Sequence, residues 1–147
     1  MQNLAAGRIK KELGLEPHPE GGWFVESFRD VDVDGADGRA RSTAIYFLLE
    51  AGEVSHWHRV TDAVEVWHFY AGSPLVITLS PNGHDAQAHR LGPNLSTGER
   101  PQIVVPANCW QTATSLGAWT LVGCTVSPGF RFEGFEMAPP GFDIPRG

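Results

Sequence analysis

Two histidines one residue apart, His56 and His58, stand in Gly52-Glu53-Val54-Ser55-His56-Trp57-His58-Arg59, and Glu65 follows seven residues after His58. In a strand, residues two apart point to one side and lie about 6.7 Å apart along the chain, so an unbroken strand aims both imidazoles at one point. That geometry suits a divalent transition metal, with Zn, Fe, Ni, Mn and Cu as the candidates. A carboxylate from the next strand, Glu65, completes a two-His-one-carboxylate face with positions left open for substrate. The same spacing also belongs to ordinary surface and loop His pairs. Glu65 opens the alternating run Val66-Trp67-His68-Phe69-Tyr70, which puts Glu65, Trp67 and Phe69 on one face and Val66, His68 and Tyr70 on the other. A carboxylate beside inward aromatics is desolvated, and its pKa rises unless a neighbouring cation or metal compensates. Arg59 offers bidentate bonds to an anionic group, or a salt bridge at the rim of the site. Trp110, next to Gln111, is the tryptophan best placed to face a ligand. In the corner Glu16-Pro17-His18-Pro19-Glu20-Gly21-Gly22, Glu20 reaches a ligand if the corner folds over the site; otherwise His18 and Glu20 serve the loop itself.

The elements that must hold these groups are strands. Leu4, Ile9 and Leu13 fall near one helical face with Gly14 as a stop signal, which predicts one short helix over about 4–13. After the Pro-Gly corner, helical periodicity does not return. Short aromatic and β-branched segments follow at Trp23 to Phe28, Ser42 to Leu49, Val64 to Tyr70, Pro74 to Leu79, Ala86 to Leu91, Ile103 to Val105, Trp110 to Thr114 and Ala118 to Val126. Turn groups such as Asp34-Gly35-Ala36-Asp37-Gly38 and Pro81-Asn82-Gly83 separate them. This spacing predicts an all-β sandwich or barrel of antiparallel strands over about 17–136, and the Pro-rich residues 137–147 read as an extended tail along the surface. No repeat or linker marks a second domain.

The chain has 147 residues, 41% of them hydrophobic and only 19% charged, with five Trp, eight Phe and two Tyr, a composition that folds around a core. Its net charge of −6 comes with scattered Lys and Arg, which argues against nucleic acid as a partner. No apolar run approaches the roughly 20 residues of a membrane span, and the N-terminal stretch lacks a signal-peptide core, so a soluble, cytoplasmic protein is expected. Cys109 and Cys124 lie in apolar segments and read as reduced core residues.

A second stretch, Val104-Val105-Pro106-Ala107-Asn108-Cys109-Trp110-Gln111, joins the first in a pattern that resembles the cupin superfamily. The two cupin motifs are altered here. The intervals before His56 and before Glu65 differ, Asn108 stands at a glycine position, and Gln111 stands where the fourth ligand, a histidine, is usual. The resemblance narrows to the fifth cupin domain family through Pro17-His18-Pro19-Glu20-Gly21-Gly22-Trp23-Phe24, Arg41 to Leu49, Trp57-His58-Arg59, Glu65-Val66-Trp67-His68, Ala71 to Leu75, Val105-Pro106 with Trp110-Gln111, and Gly123 to Phe130. It implies a double-stranded β-helix, the jelly-roll cupin barrel, with a small-molecule site inside and a homodimer as the usual assembly. His56, His58, Glu65 and Gln111 are then the metal set. It is weakened by the amide of Gln111.

Three functions remain open on this reading. The leading one is a small-molecule-binding cupin with a weakly held metal, in which His58 and Glu65 are catalytic and Glu20, Arg59, Trp110 and Gln111 meet the ligand. The second is a metal-free sugar isomerase or epimerase with His58 as base, Glu65 fixing its tautomer and Tyr46 or Tyr70 as acid. The third is a non-catalytic binding or sensing module.

Overall fold

The protein is described by a computed structural model over residues 5–30 and 38–145. Leu4 of the expected helix, turn residues 34–37 and residues 146–147 of the tail lie outside these ranges. Helix α1 spans Ala6–Leu13 and ends at Gly14, whose left-handed backbone (φ 70°) closes the last turn. Among the described residues eleven strands follow: β1 (Glu16–Pro17), β2 (Trp23–Arg29), β3 (Thr43–Glu50), β4 (Val54–Val60), β5 (Val64–Gly72), β6 (Leu75–Ser80), β7 (Gln87–Leu91), β8 (Gln102–Val105), β9 (Trp110–Ser115), β10 (Trp119–Ser127) and β11 (Phe135–Met137).

They form two antiparallel sheets, one ordered β1-β2-β3-β10-β5-β8 and the other β11-β4-β9-β6-β7. The jelly-roll expectation is met. The longer strands give alternate residues to the space between the sheets, except where a bulge intervenes, and Phe47, Leu49, Trp67, Leu75, Ile77 and Val122 form the main core there. Helix α1 covers part of the first sheet's outer face by seating Ile9 near Leu48 and Leu121. Cys109 and Cys124 are buried and free. Among the described residues no helix is long and apolar enough to cross a membrane.

Two departures from the sequence reading matter. The segment after Met137 is more than a surface extension: Ala138 N–H donates to the Trp57 carbonyl (2.9 Å), Ala86 N–H donates to the Pro145 carbonyl (3.1 Å), and Ile144 is buried beside Trp57 and Ala86 on the outer face of the second sheet. The other departure is in β4. Its register against β9 runs Val54↔Thr114, Ser55↔Ala113, then His58↔Gln111, so His56 and Trp57 together oppose the single residue Thr112. Such a β-bulge breaks the period of two. Ser55 and His58, three residues apart, therefore share the inner side.

Candidate functional site

A cavity of about 450 Å³ opens between the sheets. Phe24, Ile45, Val60, Val126, Phe130 and Phe135 give it apolar walls, and His18, Glu20, His58, Glu65 and Cys124 gather on it as a polar group. Arg29, Arg131, Phe132 and Glu133, which are partly or fully exposed, form its mouth. This is a site of the kind that encloses a small ligand and touches it with few polar groups.

The Pro-Gly corner puts Glu20 there. His18 N–H donates to the Gly22 carbonyl (2.9 Å), Gly21 N–H donates to the His18 carbonyl (3.0 Å), and His56 N–H donates to the Glu20 carbonyl (2.7 Å), which pins the corner to β4. The glycines are required by position: Gly21 has φ 110°, and a Cβ on it would run into the Val54 carbonyl oxygen.

Glu20 sits between two imidazoles, with Oε1 3.3 Å from His18 Nδ1 and Oε2 3.4 Å from His58 Nδ1, and it hydrogen-bonds the buried Ser55 hydroxyl. Glu20 N–H donates to His18 Nδ1 (3.1 Å), so this nitrogen carries a lone pair and the ring is neutral with its proton on Nε2. Burial, followed by the proximity of His58, pushes the His18 pKa down to about 4. A carboxylate facing that lone pair would be repelled; a carboxylic acid is not. Consistently, burial pushes Glu20 up to about 8 against the opposing pull of the Ser55 hydrogen bond.

His58 Nδ1 lies 2.8 Å from the His56 carbonyl, an acceptor, so Nδ1 bears the proton and Nε2 keeps its lone pair. The ring stacks on Phe135 (centroids 5.4 Å apart), and burial lowers its pKa although Glu65 pulls the other way. Glu65 is raised, by burial first, and is held by a Gln111 Nε2 bond to Oε1 (2.8 Å) and by the Cys124 thiol. Trp67 Nε1 donates to Gln111 Oε1 (2.9 Å), which fixes the amide with its N–H side toward Glu65. The Cys124 thiol is held well above its usual range by burial and the two carboxyls, so it is no nucleophile.

Of the expected site residues, Glu20, His58, Glu65 and Gln111 come together on or behind the cavity. Three do not. His56, on the bulge, turns outward and its Nε2 contacts the Ala138 and Pro139 carbonyls, both at 3.1 Å. Arg59 is taken by Glu136 (2.9 and 3.0 Å) and lies over the Trp110 ring (4.4 Å), and Trp110 packs against Phe142 under the tail. The proposed tyrosine acids are elsewhere as well: Tyr46 packs in the cluster below α1 and Tyr70 is 46% exposed, and neither lines the cavity. His68 faces outward to Thr125 (3.0 Å). Sequence reasoning gave no site role to Ser55, His18, Cys124 or Arg131. Alternation within β5 gave no signal for the cysteine, since it is the β5–β10 register, pairing Trp67 with Cys124, that brings it to the cavity.

The expected metal set does not fit this geometry. His56 points away, Ser55 occupies the inner position that an unbroken strand would have given it, and the Gln111 amide turns its N–H side to Glu65 and its oxygen, the ligating atom, to Trp67. Among the described residues no group of three or more His, Cys, Asp and Glu side chains is placed to hold a metal ion.

The protonated Glu20 has a thermodynamic signature. Its folded pKa of about 8 exceeds the unfolded value, so the stability it contributes is full below about pH 4.5 and is lost as pH rises through 8. His18, lowered to about 4, acts with the opposite sign but only below its unfolded value of 6.5. From pH 6.5 to 8 Glu20 therefore acts without His18. Urea-unfolding free energy should fall across that window by about 1.4 kcal/mol per pH unit for each retained proton, and Glu20→Gln should remove one proton's share. A wild-type profile flat over this window would contradict a neutral Glu20.

Residues 8–138 match the family described as Cupin superfamily (DUF985). A solved protein from Shewanella oneidensis is 43% identical, with 94% of this chain and 85% of that one covered and a TM-score of 0.84. A hypothetical protein from Leishmania major is 31% identical, with 92% and 88% covered and a TM-score of 0.81. Oxalate decarboxylase from Bacillus subtilis, 11% identical with 82% of this chain and 29% of that one covered, has a TM-score of 0.63 and shares the fold alone. No curated protein matches. Since one family spans nearly all the strands that build the two sheets and the cavity, the chain belongs to the cupin superfamily, in its DUF985 family.

Proposed function

We propose that the barrel interior binds a small molecule with an apolar body and a carbonyl group, and moves a proton on the carbon beside that carbonyl without using a metal. The observation that carries this reading is the meeting of the Glu20 carboxyl and the His58 imidazole, both buried, 3.4 Å apart on the wall of an otherwise apolar cavity. His58 Nε2 takes the proton from carbon while Glu20 gives its proton to the carbonyl oxygen, which yields an enol. Return of a proton to carbon and release of the hydroxyl proton complete an isomerisation with no net oxidation. Compared with the isomerase reading from sequence, the base is the same residue and a carboxylic acid replaces the tyrosine. Glu65, held by Gln111, raises the basicity of His58 against the effect of burial.

The test is hydrogen–deuterium exchange. In D2O at pH 7, 4-phenylbutan-2-one and 2-oxo-4-phenylbutanoate should lose the NMR signals of protons beside the carbonyl faster with protein than without. If both compounds bind and neither exchanges above background, the non-catalytic module is the better account.

A homodimer, as the resemblance implies, belongs to the same proposal. The part of the first sheet's outer face left open by α1 carries Ala44, Val66, His68, Tyr70, Val104 and Thr125, with no carboxylate, lysine or arginine among them, and Val104 is 56% exposed. Sedimentation equilibrium should give twice the chain mass, and Val104→Lys should return it to one.

A further inference from the structure

We infer that Arg131 anchors an anionic group at the cavity mouth, so that the ligand is a carboxylate whose apolar body fills the space between the sheets. This deepens the small-molecule reading of the cavity and rests on it. Among the described residues, Arg131 Nε is the buried side-chain nitrogen or oxygen left without a hydrogen-bond partner. Native proteins rarely leave such a donor unpaired. The rest of its guanidinium is held only loosely: Nη2 makes a long ion pair with Asp62 Oδ2 at 3.9 Å, and Asp62 is shared with Arg39, which hydrogen-bonds it at 3.1 and 3.3 Å.

The other cations near the site are engaged. Arg29 gives Nε and Nη2 to Glu26 (3.2 and 2.7 Å) and Nη2 also to the Phe130 carbonyl (3.1 Å). Arg59, which the sequence suggested for an anion, is bound to Glu136 away from the cavity. Arg131 lines the cavity with its side chain 40% exposed, and so is open to a ligand entering from solvent. A carboxylate seated side-on takes Nε–H and one Nη–H together after a small turn of the guanidinium plane, the bidentate geometry to which arginine is suited. Phe130 and Phe135 then receive the apolar body, which leads toward His58 and Glu20. Opposing charge at the mouth comes from the exposed Glu133; Glu26 is neutralised by Arg29. The buried carboxyls on the same cavity, Glu20 and Glu65, are both biased toward their neutral forms and repel an anion less than their number suggests.

The test compares 3-phenylpropanoate with 3-phenylpropanamide, matched in shape and differing in charge, by isothermal titration calorimetry. Wild-type protein should bind the carboxylate about tenfold tighter or more. Arg131→Gln should abolish that preference while leaving amide affinity within about twofold, Arg131→Lys should keep part of it, and Glu133→Gln should strengthen carboxylate binding. An unfolding midpoint unchanged in Arg131→Gln shows that its fold is intact. Equal affinities in the wild type, a preference that survives Arg131→Gln, or no binding of either probe at millimolar concentration would each overturn the anchor. Neither probe has a ketone, so failure of proton exchange leaves this result standing. Exchange on the neutral ketone without a charge preference removes only the anchor.

Discussion

His58→Gln should lower the protein-catalysed exchange rate by about 10²- to 10⁴-fold, the range over which a positioned general base acts. The substitution keeps a polar side chain of similar reach, able to donate to the His56 carbonyl as Nδ1–H does at 2.8 Å, but it has no nitrogen that can accept a proton at neutral pH. Binding should change much less than rate, because the apolar walls are untouched. The pH profile separates the two roles. Activity should rise as His58 loses its proton, below the ordinary histidine range because burial lowers its pKa, and fall again as Glu20 ionises near 8. Glu20→Gln should lose the alkaline limb along with most of the rate. Exchange at the wild-type rate in His58→Gln would end the proposal, whatever the behaviour of Glu20.

Gly21→Ala should cost about 2–4 kcal/mol in unfolding free energy, from a strained positive φ together with a clash that has no soft partner. The obstructing atom is the backbone oxygen of Val54, and Val54 and Ser55 are paired to Thr114 and Ala113 of β9. The strand cannot retreat without unzipping, so the corner must move. That movement strains the Glu20 carbonyl bond to His56 N–H and displaces the Glu20 carboxyl, and exchange activity should fall with stability. Gly7→Ala is the control. Gly7 lies in α1 with open space where its Cβ would go, and alanine there should stabilise by up to about 1 kcal/mol. Chemical denaturation of the two variants in parallel would expose the error if Gly21→Ala proved neutral.

Much of the architecture was legible because period and punctuation agreed. Alternation put Glu65 and Trp67 inside and His68 outside, and Gly14 stopped α1 at the expected place. The site was legible in part. Reading His56 and His58 as partners assumed an unbroken period of two; the one extra residue opposite Thr112 has no signature in a lone sequence, and it exchanged His56 for Ser55 on the inner side. His18 stood out in the corner only as a loop residue, because its contact with Glu20 depends on two positive-φ glycines folding the corner onto β4. β11, only three residues long, offers too little sequence for alternation to register. Arg131 could not stand out in sequence, since an unpaired donor is defined by the partners it lacks in space.

Strand β4 is a partition with different occupants on its two sides. One side carries His58 in the cavity; on the other, His56 and Trp57 hold the chain between Ala138 and Ile144. An insertion between Ala138 and Ile144 would therefore load the wall that carries the proposed base, whereas one beside α1 loads the opposite sheet.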